Sequence, residues 1–121
     1  MVRENILRVK SFAFAIRAIK LSKFLKKEHK EYDLASQVIR SGTSIGALIR
    51  ESEFAASKKD FTNKLTVGLK EANETQYWLE LLHATDFLTK GMFTSLNADC
   101  EELIRILVAS VKTSKQLSTK Q

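Results

Sequence analysis

The 121-residue chain contains no proline and four glycines. Proline interrupts helices, whereas sheets and their turns usually need both residue types, so this shortage favours an all-helical protein. Apolar residues also recur every three or four positions along most of the chain, which is the spacing of amphipathic helices. A chain of this length is normally one domain that buries a core without metals or disulfides. We therefore expect one all-α domain over residues 1–121, with a polar tail from about residue 115.

Four helices can be placed from this periodicity. The first covers residues 5–27, and the second begins with Asp33 as its N-cap and continues to about Ala56. A third follows a cap at Ser57 or Asp60 and runs to about Thr85. The fourth covers residues 96–114, after a connection at residues 86–95. Short connections make consecutive helices antiparallel neighbours, so the expected fold is an antiparallel up-down-up-down four-helix bundle.

Each predicted helix carries one apolar stripe for the core. The expected core residues are Leu7, Phe14, Ala18, Leu21 and Leu25 in the first helix; Leu34, Val38, Ile45, Ile49 and Ala56 in the second; Phe61, Leu65, Leu69, Ala72, Leu79 and Leu82 in the third; and Leu96, Cys100, Leu103, Ile104, Leu107, Val108 and Val111 in the fourth. Gly42 and Gly46 each weaken the second helix by about 1 kcal/mol relative to alanine. We expect them to permit close approach of a neighbouring helix, with a local kink as the alternative.

The first helix has a second apolar side, nearly opposite its core stripe, formed by Val9, Phe12, Ile16 and Ile19. A bundle helix in a monomer needs one apolar face, so the second indicates contact with another subunit. On the third helix, aromatic residues lie off the core stripe, and tyrosine and tryptophan suit interfaces because they combine large area with a polar tip. We predict a homo-oligomer whose interface contains Phe12, Ile16, Ile19, Tyr77, Trp78 and Leu81.

The net charge of +6 is concentrated in the first helix. Residues 1–30 hold nine basic and two acidic residues, whereas the rest of the chain holds eleven basic and twelve acidic ones. This excess indicates an anionic partner such as nucleic acid or an anionic membrane surface, and a solvated lysine-rich helix is the alternative. The predicted nucleic-acid contacts are Arg17, Lys20, Lys23, Lys26, Lys27 and Lys30.

Arg40 is a further candidate for nucleic-acid contact. It shares one side of the second helix with Ser44 and Glu51, and that arrangement also fits an ion-pair network that fixes the register against a neighbouring helix. The two interpretations differ in what a charge reversal at Arg40 would change, which is nucleic-acid affinity in the first and thermal stability in the second.

The sequence contains no pattern of residues that is typical of a catalytic site. A di-iron site in a four-helix bundle needs two Glu-x-x-His pairs, and Glu80 with His83 supplies one while His29 is preceded at that spacing by Lys26. Cys100 lies on a core stripe, where a thiol behaves as a small apolar side chain. No phosphate loop, nucleophile elbow or zinc-ligand cluster occurs. We predict no enzymatic activity, no metal and no cofactor.

The expected location is the cytoplasm. One cysteine cannot form an internal disulfide, which fits a reducing compartment. The apolar cluster at residues 11–16 is bracketed by basic residues and is too short for a signal peptide core or a membrane span, so neither a targeting segment nor a membrane partner is expected.

Two segments resemble a known family. Residues 36–51, SQVIRSGTSIGALIRE, form an unusual helix of small residues, and the motifs SKKDF, KL, LKEA, ET and YWLELL follow within residues 57–82. They are similar to the bacterial four-helix bundle proteins related to those encoded in intervening sequences of 23S ribosomal RNA genes. The resemblance spans about residues 10–88. The chain departs from it at Leu48, where the family usually has asparagine, and at Ser52, where it has a small residue, often glycine.

This resemblance implies a bundle that assembles into a ring, typically a pentamer, without enzymatic activity. It extends to the accessory variability determinants of diversity-generating retroelements, which are basic pentamers that bind nucleic acid and a reverse transcriptase. We therefore expect a homopentamer that binds structured RNA or an RNA/DNA hybrid through its first helix. The alternative is a protein-interaction scaffold that docks an acidic partner or a reverse transcriptase.

Overall fold

A computed structural model describes residues 2–119, with side chains described for residues 6–117. It contains four α-helices: α1 (Val2–His29), α2 (Asp33–Ser52), α3 (Lys58–Ala84) and α4 (Lys90–Thr119). Consecutive helices pack against each other, and α1 also packs against α4. The predicted antiparallel up-down-up-down four-helix bundle is therefore confirmed. Because α1 and α3 both pack against α2 and α4, they occupy diagonally opposite corners of the bundle.

The predicted stripes form the core, with few exceptions. All five residues predicted for α1 are buried, as are most of those predicted for the other helices. Leu34, Phe61, Leu69, Ile104 and Val108 are partly buried, at the edges of their stripes. Ala56 is exposed, so its assignment to the core is wrong. Periodicity therefore predicted the inward side of every helix.

The run of small hydroxylated residues in α2 is helical because its hydroxyl groups are satisfied locally. Ser41, Thr43 and Ser44 each donate to the backbone carbonyl four residues earlier, at 3.0, 2.6 and 2.6 Å respectively. Such bonds let serine and threonine occupy a helix interior without leaving a buried polar group unpaired. Gly42 is buried between α1 and α3, where α1 approaches most closely. The predicted role of Gly42 in close helix packing is confirmed.

The start of α2 differs from the prediction. Asp33 is the first helical residue rather than the N-cap, and Tyr32 in the N-cap position makes no side-chain capping bond. A carboxylate oxygen of Glu31 instead accepts from the backbone N–H of Leu34 at 2.9 Å. A free amide of the first turn is thus satisfied by Glu31, which lies two residues before the predicted cap Asp33.

The junction between α2 and α3 explains why α2 ends at Ser52 and does not reach Ala56. The Ser57 hydroxyl accepts from the Asp60 N–H at 3.0 Å, and the Asp60 carboxylate accepts from the Ala56 N–H at 3.1 Å. This pair resembles a capping box, except that the Asp60 carboxylate accepts from Ala56, one residue before the Ser57 N-cap. It begins a new helix and confirms Ser57, one of the two predicted caps.

The last helix begins earlier and ends later than predicted. The Thr89 hydroxyl accepts from the Met92 N–H at 3.2 Å and so caps α4 at Lys90, inside the predicted connection at residues 86–95. Gly91, inside that predicted connection, lies within the first turn of α4. At the other end α4 continues to Thr119, so the polar tail expected from about residue 115 is helical as far as that residue. None of the described helices is long and apolar enough to cross a membrane.

Candidate nucleic-acid and subunit interfaces

Two basic residues in the first half of α1, Arg8 and Lys10, are paired with acidic residues of the bundle. A guanidinium nitrogen of Arg8 lies 3.7 Å from a carboxylate oxygen of Glu53, next to the end of α2. The Lys10 ammonium lies 3.2 Å from a carboxylate oxygen of Glu102 on α4. The charges of Arg8 and Lys10 are therefore partly offset within the subunit.

Arg17, one of the predicted nucleic-acid contacts, is also held by α4. Its guanidinium donates to a carboxylate oxygen of Asp99 at 2.6 Å, and to the backbone and hydroxyl oxygens of Ser95 at 3.2 and 2.9 Å. These bonds fix the orientation of the Arg17 side chain and offset its charge. Arg17 therefore differs from the other predicted basic contacts of α1 because its guanidinium has an acidic partner on α4.

The other five basic residues predicted on α1 are exposed, and within the described part of the chain they make no ion pair or side-chain hydrogen bond. They occupy the second half of the helix and the residue after it: Lys20, Lys23, Lys26, Lys27 and Lys30. Glu28 is the one acidic residue in the same stretch. Hereafter these five lysines are called the lysine patch. Its charge is available to an external anion.

Arg40 joins α2 to α3, as the ion-pair interpretation predicted. Its guanidinium lies 3.3 Å from a carboxylate oxygen of Glu71 and is also paired with Glu74. Glu74 in turn accepts from the indole N–H of Trp78 at 3.0 Å. These contacts fix the register of the two helices. A contact between Arg40 and nucleic acid stays a prediction, and the two carboxylates compete with it.

Leu48 interrupts the polar side of α2 that contains Arg40. Beyond it, Glu51 forms a separate ion pair with Lys64 of α3, at 3.2 Å. Leu48 itself packs over α3, where a Cβ atom at Gly68 would lie 3.8 Å from the Leu48 Cβ. At Leu48 this chain therefore has an apolar contact between two separate sets of ion pairs.

The second apolar side of α1 is exposed, as predicted. The side chains of Phe12, Ile16 and Ile19 all reach solvent, and Phe12 is 57% exposed. Val9 and Ile6 extend this surface toward the N-terminus. The Arg50 guanidinium of α2 lies 5.7 Å from the centre of the Phe12 ring, a cation–π distance that holds the ring in place. A continuous apolar surface thus precedes the lysine patch on the same helix.

The predicted interface residues of α3 differ in exposure. Tyr77 is 55% exposed, whereas Trp78 and Leu81 are partly buried. The Tyr77 and Trp78 rings meet edge to face, with centres 5.0 Å apart. Trp78 also packs against the core and donates to Glu74, so part of its surface already has a role within the subunit.

The side chains considered for chemistry have other partners. Burial raises the pKa of the Cys100 thiol from 9.0 to about 12, and nearby carboxylates, Glu101 first among them, add to the effect. The thiol donates to the Ala72 carbonyl oxygen at 3.3 Å. The His83 ring stacks on Phe93 with centres 4.5 Å apart. In the described part of the chain, no three His, Cys, Asp or Glu residues are grouped so that they could hold a metal ion.

Two exposed aromatic residues, Tyr32 and Phe54, are not among the residues predicted from the sequence. Phe54 follows the end of α2 and is 86% exposed. The helix predicted to continue to Ala56 included Phe54, and no local pattern distinguishes an exposed phenylalanine from a buried one. The cap at Ser57 indicates where α3 begins but not where α2 ends, so it left the position of Phe54 open.

The fold and the charge distribution define a small, basic four-helix bundle with exposed apolar residues on α1. The chain belongs to the 23S rRNA-intervening sequence protein family, whose model matches residues 3–109. A similar solved structure is a protein with unknown function from the S23 ribosomal protein family of Bacteroides thetaiotaomicron. It is 49% identical, the match covers 91% of this chain and 98% of that one, and the TM-score is 0.89. No curated protein matches the chain.

Proposed function

We propose that this chain is a non-enzymatic homo-oligomer, a pentamer, that binds nucleic acid through the lysine patch of α1. The observation that carries the proposal is the division of charge along this helix. Arg8, Lys10 and Arg17 are paired with acidic residues of the bundle, whereas the five lysines that follow have no such partners in the described structure. A lysine-rich half-helix without counter-charges fits a polyanion better than it fits a role in packing.

The ligand that fits best is structured RNA or an RNA/DNA hybrid. Lysine ammonium groups on flexible stems contact phosphates without reading base sequence, so binding would be sensitive to salt and poorly sequence-specific. Several lysines along one helix suit a backbone that follows the helix, and repetition of the patch around a ring would enlarge the basic surface.

The positions of the two apolar surfaces support assembly into a ring. The exposed residues Phe12, Ile16 and Ile19 lie on α1, and Tyr77 with its partly buried neighbours lies on α3, at the diagonally opposite corner. If the α1 surface of one subunit meets the α3 surface of the next, the contact is heterologous, and such contacts form a ring when the rotation between successive subunits closes after five copies. A two-fold dimer would instead need one surface that contacts itself.

Nucleic-acid binding can be tested by filter binding to an RNA hairpin and an RNA/DNA hybrid across a salt series. We expect affinity that falls steeply as salt rises, because binding releases counterions from the phosphates. No affinity at low salt, or affinity independent of salt, would contradict the proposal. Assembly can be tested by light scattering at micromolar concentration, where we expect a mass five times that of the 13.7 kDa chain. A 13.7 kDa species would refute the oligomer.

The alternative is a scaffold that docks an acidic protein or a reverse transcriptase. The exposed Phe54 and the apolar surface of α1 give a protein partner somewhere to bind. A pull-down before and after nuclease treatment separates the two functions. Partners that are lost after nuclease treatment support nucleic-acid binding, whereas a partner retained after the treatment supports the scaffold.

A further inference from the structure

A groove of about 320 Å³ lies between α1 and α4, beside the lysine patch. Four apolar side chains line it, Leu21 and Phe24 from α1 and Met92 and Leu96 from α4, together with the basic side chains of Arg17 and Lys20. This volume is at the lower end of the range of roughly 300–1,000 Å³ for small-molecule pockets. The groove thus combines an apolar lining with positive charge.

The groove is held open by contacts on both sides. Toward the middle of the bundle, the bonds from Arg17 to Asp99 and Ser95 tie α1 to α4 with polar groups instead of apolar packing. Toward the end of α1, the Phe24 ring meets the His29 ring edge to face, with centres 5.3 Å apart, and His29 meets Phe87 in the same way at 5.1 Å. These ring contacts hold the Phe24 ring at the side of the groove.

We propose that this groove receives an unpaired nucleobase of a bound RNA whose phosphates lie on the lysine patch. The inference rests on the proposed nucleic-acid binding and narrows its ligand to RNA with single-stranded loops, bulges or ends. Lys20 belongs both to the groove and to the patch, and Lys23 and Lys27 follow at about one-turn intervals on the outer side of α1. A strand that follows these lysines therefore passes the mouth of the groove.

The lining selects a base over other occupants. An unstacked base needs an apolar or aromatic surface for its flat faces, and it carries a phosphate that needs a cation nearby. Phe24 and Met92 supply the surface for the faces of the base, and Lys20 supplies the cation for its phosphate. An uncharged apolar group would gain nothing from the Lys20 charge beside the groove, and the bases of an uninterrupted duplex are paired and stacked and so cannot enter it.

The test is photocrosslinking of the full-length wild-type protein with a single-stranded RNA that contains iodouridine, followed by mapping of the crosslinked residues. We expect crosslinks at Phe24 or Met92. Affinities for the same strand and for its duplex are then compared in wild type and in Phe24→Leu, which keeps an apolar side chain but removes the ring. Phe54→Leu, at an exposed phenylalanine at the other end of the bundle, is the matched control.

We expect Phe24→Leu to weaken single-strand binding about fivefold or more, as the loss of one base–aromatic stack does, and to leave duplex binding unchanged. Crosslinks confined to other residues, with equal affinity of wild type for strand and duplex, would overturn the groove while leaving the lysine patch as a binding surface. Absence of binding to both ligands would overturn the groove together with the proposed function. If Phe24→Leu is unstable, the crosslink map of the wild type decides.

Discussion

A Cβ atom added to Gly42 would lie 2.6 Å from the Cβ atom of Ala18, so α1 and α2 meet there with no room for one more methyl group. Gly42→Ala should destabilise the protein, because this overpacking costs about 1–3 kcal/mol and outweighs the gain of about 1 kcal/mol in helix propensity. Urea denaturation at fixed protein concentration measures the change. Gly91→Ala is the matched control, since nothing lies within 4 Å of its Cβ position, and it should be neutral or slightly stabilising. Equal stability of Gly42→Ala and wild type would contradict the close packing.

Ser22 is buried, and its hydroxyl oxygen has no hydrogen-bond partner in the described structure. An unpaired buried hydroxyl costs about 1–3 kcal/mol, so Ser22→Ala should stabilise the protein by about 1 kcal/mol. Ser41→Ala is the control, because the buried Ser41 hydroxyl accepts from Thr75 at 2.9 Å and its loss should destabilise. Thermal unfolding of the two variants should therefore shift in opposite directions. A fall in melting temperature for Ser22→Ala would show that its hydroxyl has a partner in solution.

Cys100 makes stability depend on pH in the alkaline range. Its pKa is about 12 in the folded chain and close to the ordinary 9.0 when unfolded, so the thiol is neutral in both states below pH 9. Between pH 9 and 12 the unfolded chain ionises first, and folding stability falls by up to about 1.4 kcal/mol per pH unit. The stability of wild type relative to Cys100→Ala should therefore decline over that range, while lysine and tyrosine titrations cancel in the difference. A difference independent of pH would contradict the burial of the thiol.

The ion-pair interpretation of Arg40 predicts that Arg40→Gln lowers stability without changing nucleic-acid affinity. The Arg40 side chain is about half exposed and pairs with Glu71 and Glu74, so we expect a loss of about 1 kcal/mol, near the upper end for exposed ion pairs. Lys70→Gln, at an exposed lysine on α3, is the control and should change neither quantity. Melting temperature and filter binding are measured on the same preparations. Weaker binding at unchanged melting temperature would assign Arg40 to the nucleic-acid interface.

The fold could be predicted because its main determinants are local. The three-to-four-residue spacing of Ala18, Leu21 and Leu25 defines the buried side of α1 without reference to any other helix. Helix ends were predicted less well, since they depend on individual hydrogen bonds. Asp33 is a favourable N-cap residue, yet Glu31 makes the capping bond at the start of α2. Thr89 caps α4 within a segment that was predicted to be a connection.

The sequence identified the basic residues of the candidate nucleic-acid interface but not which of them have acidic partners in the fold. Arg17 and Lys20 lie one turn apart in the same basic run, and a count of charges treats them alike. The structure separates them, because Arg17 meets Asp99 on α4 while Lys20 has no partner among the described residues. That difference depends on the rotation and axial offset of α1 against α4, which no local pattern contains. The same reason explains why the groove at Phe24 and Met92 could not be foreseen.

The most direct test of the lysine patch compares the salt dependence of RNA-hairpin binding among three proteins. These are wild type, the double variant Lys23→Gln and Lys27→Gln, and a control double variant, Lys58→Gln and Lys59→Gln, whose exposed lysines lie at the other end of the bundle. We predict that the first variant lowers the slope of log affinity against log salt by about 2, one unit for each phosphate contact, and that the control retains the wild-type slope. Equal effects of the two variants, or none from either, would contradict the assignment of nucleic-acid binding to the unpaired lysines of α1.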